Sequence, residues 1–204
     1  MTTDNLKDFI AIPTIANDKE ANLSAIDFIC KFLKPIGFTI SIEGESPFHQ
    51  PVIVAKYNNP NTDKKVVLYG HYDVEKIKEW EKWNTPPFEL TEINGRYYCR
   101  GIADNKAVLL TRLEAVKEMF EENEELPNIL WIIQGEEEVG GQTPFEVIPK
   151  HFSEFNSKIF LEETGIHKDG KPVIFYLPKS ETKPNFLDSL NDTIYSGNAL
   201  LENR

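Results

Sequence analysis

Two short stretches of the chain carry residue types that could do chemistry. The first is Gly70-His71-Tyr72-Asp73-Val74, which follows the apolar run Val66-Val67-Leu68-Tyr69. His71 and Asp73 are two residues apart, so on an extended backbone both project to the same side. One can then ligate a metal ion while the other orients it through the second ring nitrogen; a partly solvated structural pair is the plain alternative. The second stretch is Gly135-Glu136-Glu137-Glu138-Val139-Gly140-Gly141, directly after the largely apolar run Asn128 to Gln134. Like charges crowded at the end of a buried strand need a cation, or raised pKa values, to be tolerated. A divalent metal would meet that need.

Further carboxylates fall at comparable places. Asp104, in Arg100-Gly101-Ile102-Ala103-Asp104-Asn105-Lys106, precedes an amphipathic helix, where N-capping is the competing reading. Glu162 and Glu163 follow a short apolar run at 158–161. Oxygen and imidazole donors without thiolate suit a catalytic zinc, manganese or cobalt centre rather than a structural one. Two metals sharing a bridging carboxylate would use the set most economically and leave one carboxylate free as a base.

Groups so far apart in sequence need strands that end together. Val66 to Tyr69 reads as a strand buried in a parallel sheet, and in open α/β sheets reactive groups lie just past the carboxyl ends of strands. Upstream, Leu6, Phe9, Ile10 and Ile12 predict a short helix ending before Pro13. Asn17 or Asp18 then caps a longer helix with Leu23, Ile26, Ile29, Cys30 and Leu33 inward and Gly37 as its stop. Strands are expected at 38–42, 52–57, 128–134, 158–161 and 172–177, and a helix after Asp104 with Val108, Leu109, Leu113, Val116 and Met119 inward. The proline-rich segment from Trp80 through Trp83 to Pro86-Pro87-Phe88 reads as a loop covering the core, with substrate contact as a second role. The fold class expected is α/β: a three-layer, mostly parallel sheet with helices on both faces.

The chain has 204 residues, 40% of them hydrophobic, enough for a real core, and a net charge of −11 that argues against nucleic acid and an anionic membrane surface. Cys30 and Cys99 are its only cysteines, too few for a disulfide framework or a thiolate zinc site. The opening residues are polar and no run approaches the roughly 18 apolar residues of a membrane span, so a cytoplasmic protein is expected.

The order of four motifs, Gly-His-Tyr-Asp-Val at 70–74, Trp83 through Pro87-Phe88, Arg-Gly-x-x-Asp-x-Lys at 100–106 and Gly-x-Glu-Glu-x-Gly at 135–140, resembles the M20 family of co-catalytic zinc metallopeptidases, particularly its carnosinase-like dipeptidase branch. The resemblance runs over about residues 6–178. It implies that His71 ligates one zinc and Asp73 supports it, that Asp104 bridges two metals, that Glu137 is the general base and that Glu138 ligates the second zinc. Glu163 would be the remaining carboxylate ligand, with Glu162 as the near alternative. It implies a small peptide substrate, or an N-acyl amino acid if the enzyme is a deacylase, and a homodimer in the full-length form.

There are departures. Cys99 and Ala107 stand where glycines are usual, and Tyr195, in Asp192-Thr193-Ile194-Tyr195-Ser196-Gly197, stands where the family's lid-domain motif has histidine. The second metal would therefore lack a histidine ligand: His49 precedes the core motif, and His151 and His167 read as ordinary solvated histidines. Residues 1–178 are expected to be the amino-terminal part of the catalytic domain, and 179–204 the start of a lid or dimerisation domain or a truncated tail. A non-catalytic, metal-binding remnant is the alternative from outside the enzymes.

Overall fold

The computed structural model describes residues 2–162 and four two-residue strands, at 167–168, 171–172, 175–176 and 194–195. Glu163, the side chains of His167 and Tyr195, and the boundary at 178/179 lie outside the described residues.

Helix α1 (Thr3–Ile10) starts where the Thr2 hydroxyl accepts from the Asn5 amide and buries Leu6, Phe9 and Ile10. Helix α2 (Lys19–Leu33) is capped by Asp18, whose carboxylate accepts the Ala21 amide at 3.0 Å. It passes through one tight turn (Lys34–Ile36) to Gly37, whose φ of +90° few other residues adopt. Its buried stripe holds Ala25, Ile26, Ile29, Cys30 and Leu33, but Leu23 is 51% exposed. The expectation of an inward Leu23 is thus corrected: Asn22 takes the buried place on the first turn, its side chain donating to the Ile15 carbonyl.

The next strands are β1 (Thr39–Glu43), β2 (Val52–Tyr57) and β3 (Lys65–His71), and they join β6 (Asn128–Gln134) and β7 (Ile159–Leu161) in one sheet. With β10 (Phe175–Tyr176) and β11 (Ile194–Tyr195) the order is β1-β2-β6-β3-β7-β11-β10. Strands β6, β3, β7 and β11 run parallel, while antiparallel pairs flank them on both sides, so the sheet as a whole is mixed.

Side chains alternate across it. Ile53, Ala55, Leu68, Ile129, Trp131 and Ile133 pack on α1, α2 and α3 (Ala107–Glu121), whereas Val52, Val54, Val67, Leu130 and Ile132 pack on α4 (Thr143–Phe155). The α/β architecture with helices on both faces is therefore borne out. Both faces of β2, β3 and β6 are buried, which is why these strands read as continuous apolar runs rather than alternating ones.

Three findings go beyond the expected elements. Strands β4 (Thr91–Ile93) and β5 (Arg96–Tyr98) form a hairpin around Asn94-Gly95, both with positive φ, a turn whose dipeptide signature lay in the sequence. At the far end β8 (His167–Lys168) and β9 (Lys171–Pro172) make a separate antiparallel pair. Helix α4 contains Pro149, an argument against helix, but Pro144 stands at its permissive first turn and Val147, Ile148 and Phe152 are buried on one side. His151 on that helix is buried, not solvated as expected: its Nε2 meets the Glu43 carboxylate at 2.9 Å. Among the described residues no helix is long and apolar enough to cross a membrane.

Tyr72 joins the sheet to the site. Its ring is fully buried, its hydroxyl donates to the Pro51 carbonyl at 3.0 Å, and a Cβ at Gly135 would lie 2.4 Å from it. Gly135→Ala should therefore lower stability by about 1–3 kcal/mol through overpacking, measured as a lower urea midpoint at unchanged m-value.

Candidate metal centre

Parallel strands β3 and β6 are in register, with His71 opposite Gln134, and the Tyr72 amide donates to the Gln134 carbonyl at 2.9 Å. The two strands end level, so the residues that follow them share one rim of the sheet. His71 is fully buried there. Its Nδ1 lies 3.0 Å from the Asp73 carbonyl oxygen and 3.2 Å from Asp73 Oδ1. Asp73, also fully buried, accepts from the backbone amides of Glu137 at 3.3 Å and Glu138 at 3.0 Å. One carboxylate thus fixes the imidazole and the turn after β6 together.

Asp104 arrives from a third element. Gly101, at φ +79°, leads into a turn over Ile102–Lys106 whose backbone departs from helix at Asp104. Instead of capping α3, the Asp104 side chain turns to His71, with Oδ1 at 2.8 Å from Nε2. The capping alternative is set aside on that geometry. Ligand atoms of His71, Asp104 and Glu138 all lie within 4.8 Å of one another.

Both acceptors around Nδ1 require a proton on that nitrogen, so in the neutral ring the lone pair of Nε2 faces the Asp104 carboxylate. Two lone pairs at that distance call for a cation between them, either a proton or a metal ion. The imidazole, oxygen-rich donor set fits a divalent metal of the borderline or hard kind. The His71 hydrogen bond holds the Asp104 carboxyl below its ordinary range. Glu137 and Glu138 move the other way: lost hydration raises both, repulsion from Asp104 adds to it, and Glu138 is pushed up to about 7. Two neighbouring carboxyls resisting ionisation are what an acidic cluster shows when its charge is not offset.

Of the residues singled out from sequence, the structure brings together His71, Asp73, Asp104, Glu137 and Glu138. Glu163 lies outside the described residues, and for Glu162 the backbone carbonyl accepts from Arg112 at 2.5 Å. Glu136 parts from its two neighbours. It is buried against the start of α4, where its carboxylate accepts from the Thr143 amide (3.1 Å) and hydroxyl (2.7 Å). Arg112, which also donates to the Tyr69 carbonyl at 3.0 Å, ties the ends of β3 and β7, a role with no sequence signal. Lys106 is buried too, and burial brings its ammonium down to about 7.

A mixed α/β sheet thus gathers a histidine and several carboxylates past the ends of its parallel strands. The sequence pattern of the peptidase family M20/M25/M40 matches residues 67–174, and the chain belongs to that family. Among its relatives are the Beta-Ala-His dipeptidases of Rattus norvegicus, 32% identical over 71% of this chain and 29% of that protein, and of Homo sapiens, 36% identical over 66% and 27%. The crystal structure of human carnosine dipeptidase 1 superposes with a TM-score of 0.73 at 26% identity, covering 85% of this chain and 40% of that one. The chain thus spans under a third of the length of these two relatives (29% and 27%).

Calorimetric titration should show zinc binding that His71→Ala abolishes and Asp73→Asn weakens about 10- to 100-fold, the usual cost of losing the partner that orients a ligand. Glu138 supplies the pH dependence. Its folded pKa of about 7 lies above the ordinary carboxylate value, so charging it costs stability at pH 8 and costs nothing near pH 4. In the metal-free chain Glu138→Gln should raise the urea midpoint at pH 8 and leave it unchanged near pH 4. In the wild type, zinc affinity should fall as pH drops below 7, because protons compete with the metal for its ligands.

Proposed function

We propose that this chain carries the catalytic rim of a metal-dependent dipeptidase acting on small peptides, with zinc as the metal and the cytoplasm as its setting. The observation that carries the reading is the convergence of His71, Asp104 and Glu138 within 4.8 Å, with Asp73 behind the imidazole. His71, Asp104 and Glu138 would hold the metal, Asp104 as the bridge if two ions bind, and Glu163 is proposed as a further ligand. A divalent ion bound there supplies Lewis acidity to the scissile amide carbonyl and acidifies the attacking water.

The chain's own residues do the rest. Asp73 keeps the proton on Nδ1, so Nε2 presents its lone pair to the site. Glu137, exposed at the rim, has a raised pKa and takes the proton of the attacking water, then delivers it to the leaving amine. Its backbone amide donates to Asp73, the same carboxylate that faces the imidazole. The buried, unpaired thiols Cys30 and Cys99 support the cytoplasmic setting, and a homodimer in a full-length form remains part of the proposal.

The test is metal-dependent hydrolysis of β-alanyl-histidine and other dipeptides by the zinc-loaded chain, with N-acyl amino acids as competitors. Dipeptide turnover is expected, and Glu137→Gln should lower it about 10²- to 10⁴-fold at unchanged zinc affinity. Turnover of N-acyl amino acids alone would reassign the substrate. Zinc binding without any hydrolysis would leave a binding remnant in place of the enzyme.

A further inference from the structure

The last residues of α1 and the start of the connection to α2, residues 9–14, touch both ligand-bearing loops. At one end the Lys106 side chain, 1% exposed, donates from Nζ to the Phe9 carbonyl at 2.9 Å and to the Ile12 carbonyl, and lies 4.9 Å from the centre of the Phe9 ring. Those carbonyls are at the carboxyl end of α1, where the helical ladder has run out and a cation is favoured. Lys106 closes the same turn that holds Asp104, and its amide donates to the Gly101 carbonyl at 2.9 Å.

At the other end Thr14, fully buried, donates from its hydroxyl to the Tyr72 carbonyl at 2.7 Å, and its own carbonyl accepts the Val74 amide at 3.0 Å. Tyr72 and Val74 are the two neighbours of Asp73. The Gln50 side chain, also fully buried, donates to that Thr14 carbonyl at 3.3 Å. One short segment is therefore bonded to the loop that orients His71 and to the turn that presents Asp104.

We propose that residues 9–14 are a positioning strap: through Lys106 and Thr14 they set the separation of the Asp104 turn from the His71–Asp73 loop, and with it the affinity and geometry of the metal site. This rests on reading the rim as a metal centre. The Asp104 carboxylate is 72% exposed and meets His71 at its open edge, so the backbone of its turn decides where it stands. That backbone is anchored by the Lys106 side chain. A buried ammonium is a costly way merely to fill space, since an apolar side chain of similar length would do so without desolvating a charge.

The experiment measures zinc affinity by competition titration, and the visible spectrum of the cobalt-substituted protein, in the wild type, Lys106→Met, Thr14→Val and the core variant Leu33→Ala. Lys106→Met should weaken zinc binding about 10- to 100-fold and shift the cobalt bands, and Thr14→Val should act in the same direction with smaller size. Leu33→Ala should lower the urea midpoint and leave both metal readouts unchanged. Wild-type affinity and spectrum in the two strap variants overturn the inference, as does an equal shift in Leu33→Ala. Should Lys106→Met fail to fold, Thr14→Val decides by the same criterion. A wild type that binds no zinc overturns the metal-centre reading itself and the strap with it, whereas zinc binding indifferent to the strap removes only the strap.

Discussion

The imidazole of His71 is held between two carboxylates that come from different parts of the chain, and most of the site can be traced to that arrangement. Asp73 faces Nδ1 at 3.2 Å and Asp104 faces Nε2 at 2.8 Å. The ring is wholly inside the protein while Asp104 is largely outside it, so the site has a buried, preset side and an open, adjustable one. Desolvating an imidazole and an aspartate together is tolerable because the Asp73 carboxylate also collects two backbone amides from the turn after β6. The same contacts that neutralise the burial cost of Asp73 place Glu137 and Glu138.

How far this was legible in the sequence differs from element to element for physical reasons. The strands β3 and β6 are long apolar runs stopped by glycine, and a run buried on both faces leaves few alternatives. His71 and Asp73 were readable as a pair because a spacing of two has a definite meaning on an extended chain. Asp104 was visible as a carboxylate at a helix start, but nothing local to it says that it turns from the helix toward a strand 33 residues away. Helix α4 was hidden by its proline, whose cost is overridden by tertiary burial of Val147, Ile148 and Phe152. The burial of His151 depends on Glu43, 108 residues distant, so no local pattern could announce it.

Long-range hydrogen bonds of this sort also explain why the amino-terminal helices matter to a site they do not enter. Helix α1 is short and its own propensity would not hold it together in water; its stability comes from Leu6, Phe9 and Ile10 packed under the sheet. Once docked, its carboxyl end presents backbone oxygens to a lysine that no solvent can reach. Packing energy spent on one face of the sheet thus reappears as order in a loop at its rim.

The divergence of Glu136 from its two neighbours alters the electroneutrality of the pocket. Its carboxylate is held by the amide and hydroxyl of Thr143 at the positive end of α4, turned away from the rim. Among the described residues, what remains is Asp73, Asp104, Glu137 and Glu138, four negative charges when all are ionised. A bound dication would offset part of that charge. A single threonine at a helix start therefore decides which way the first of three consecutive glutamates faces, and keeps it from joining the other two.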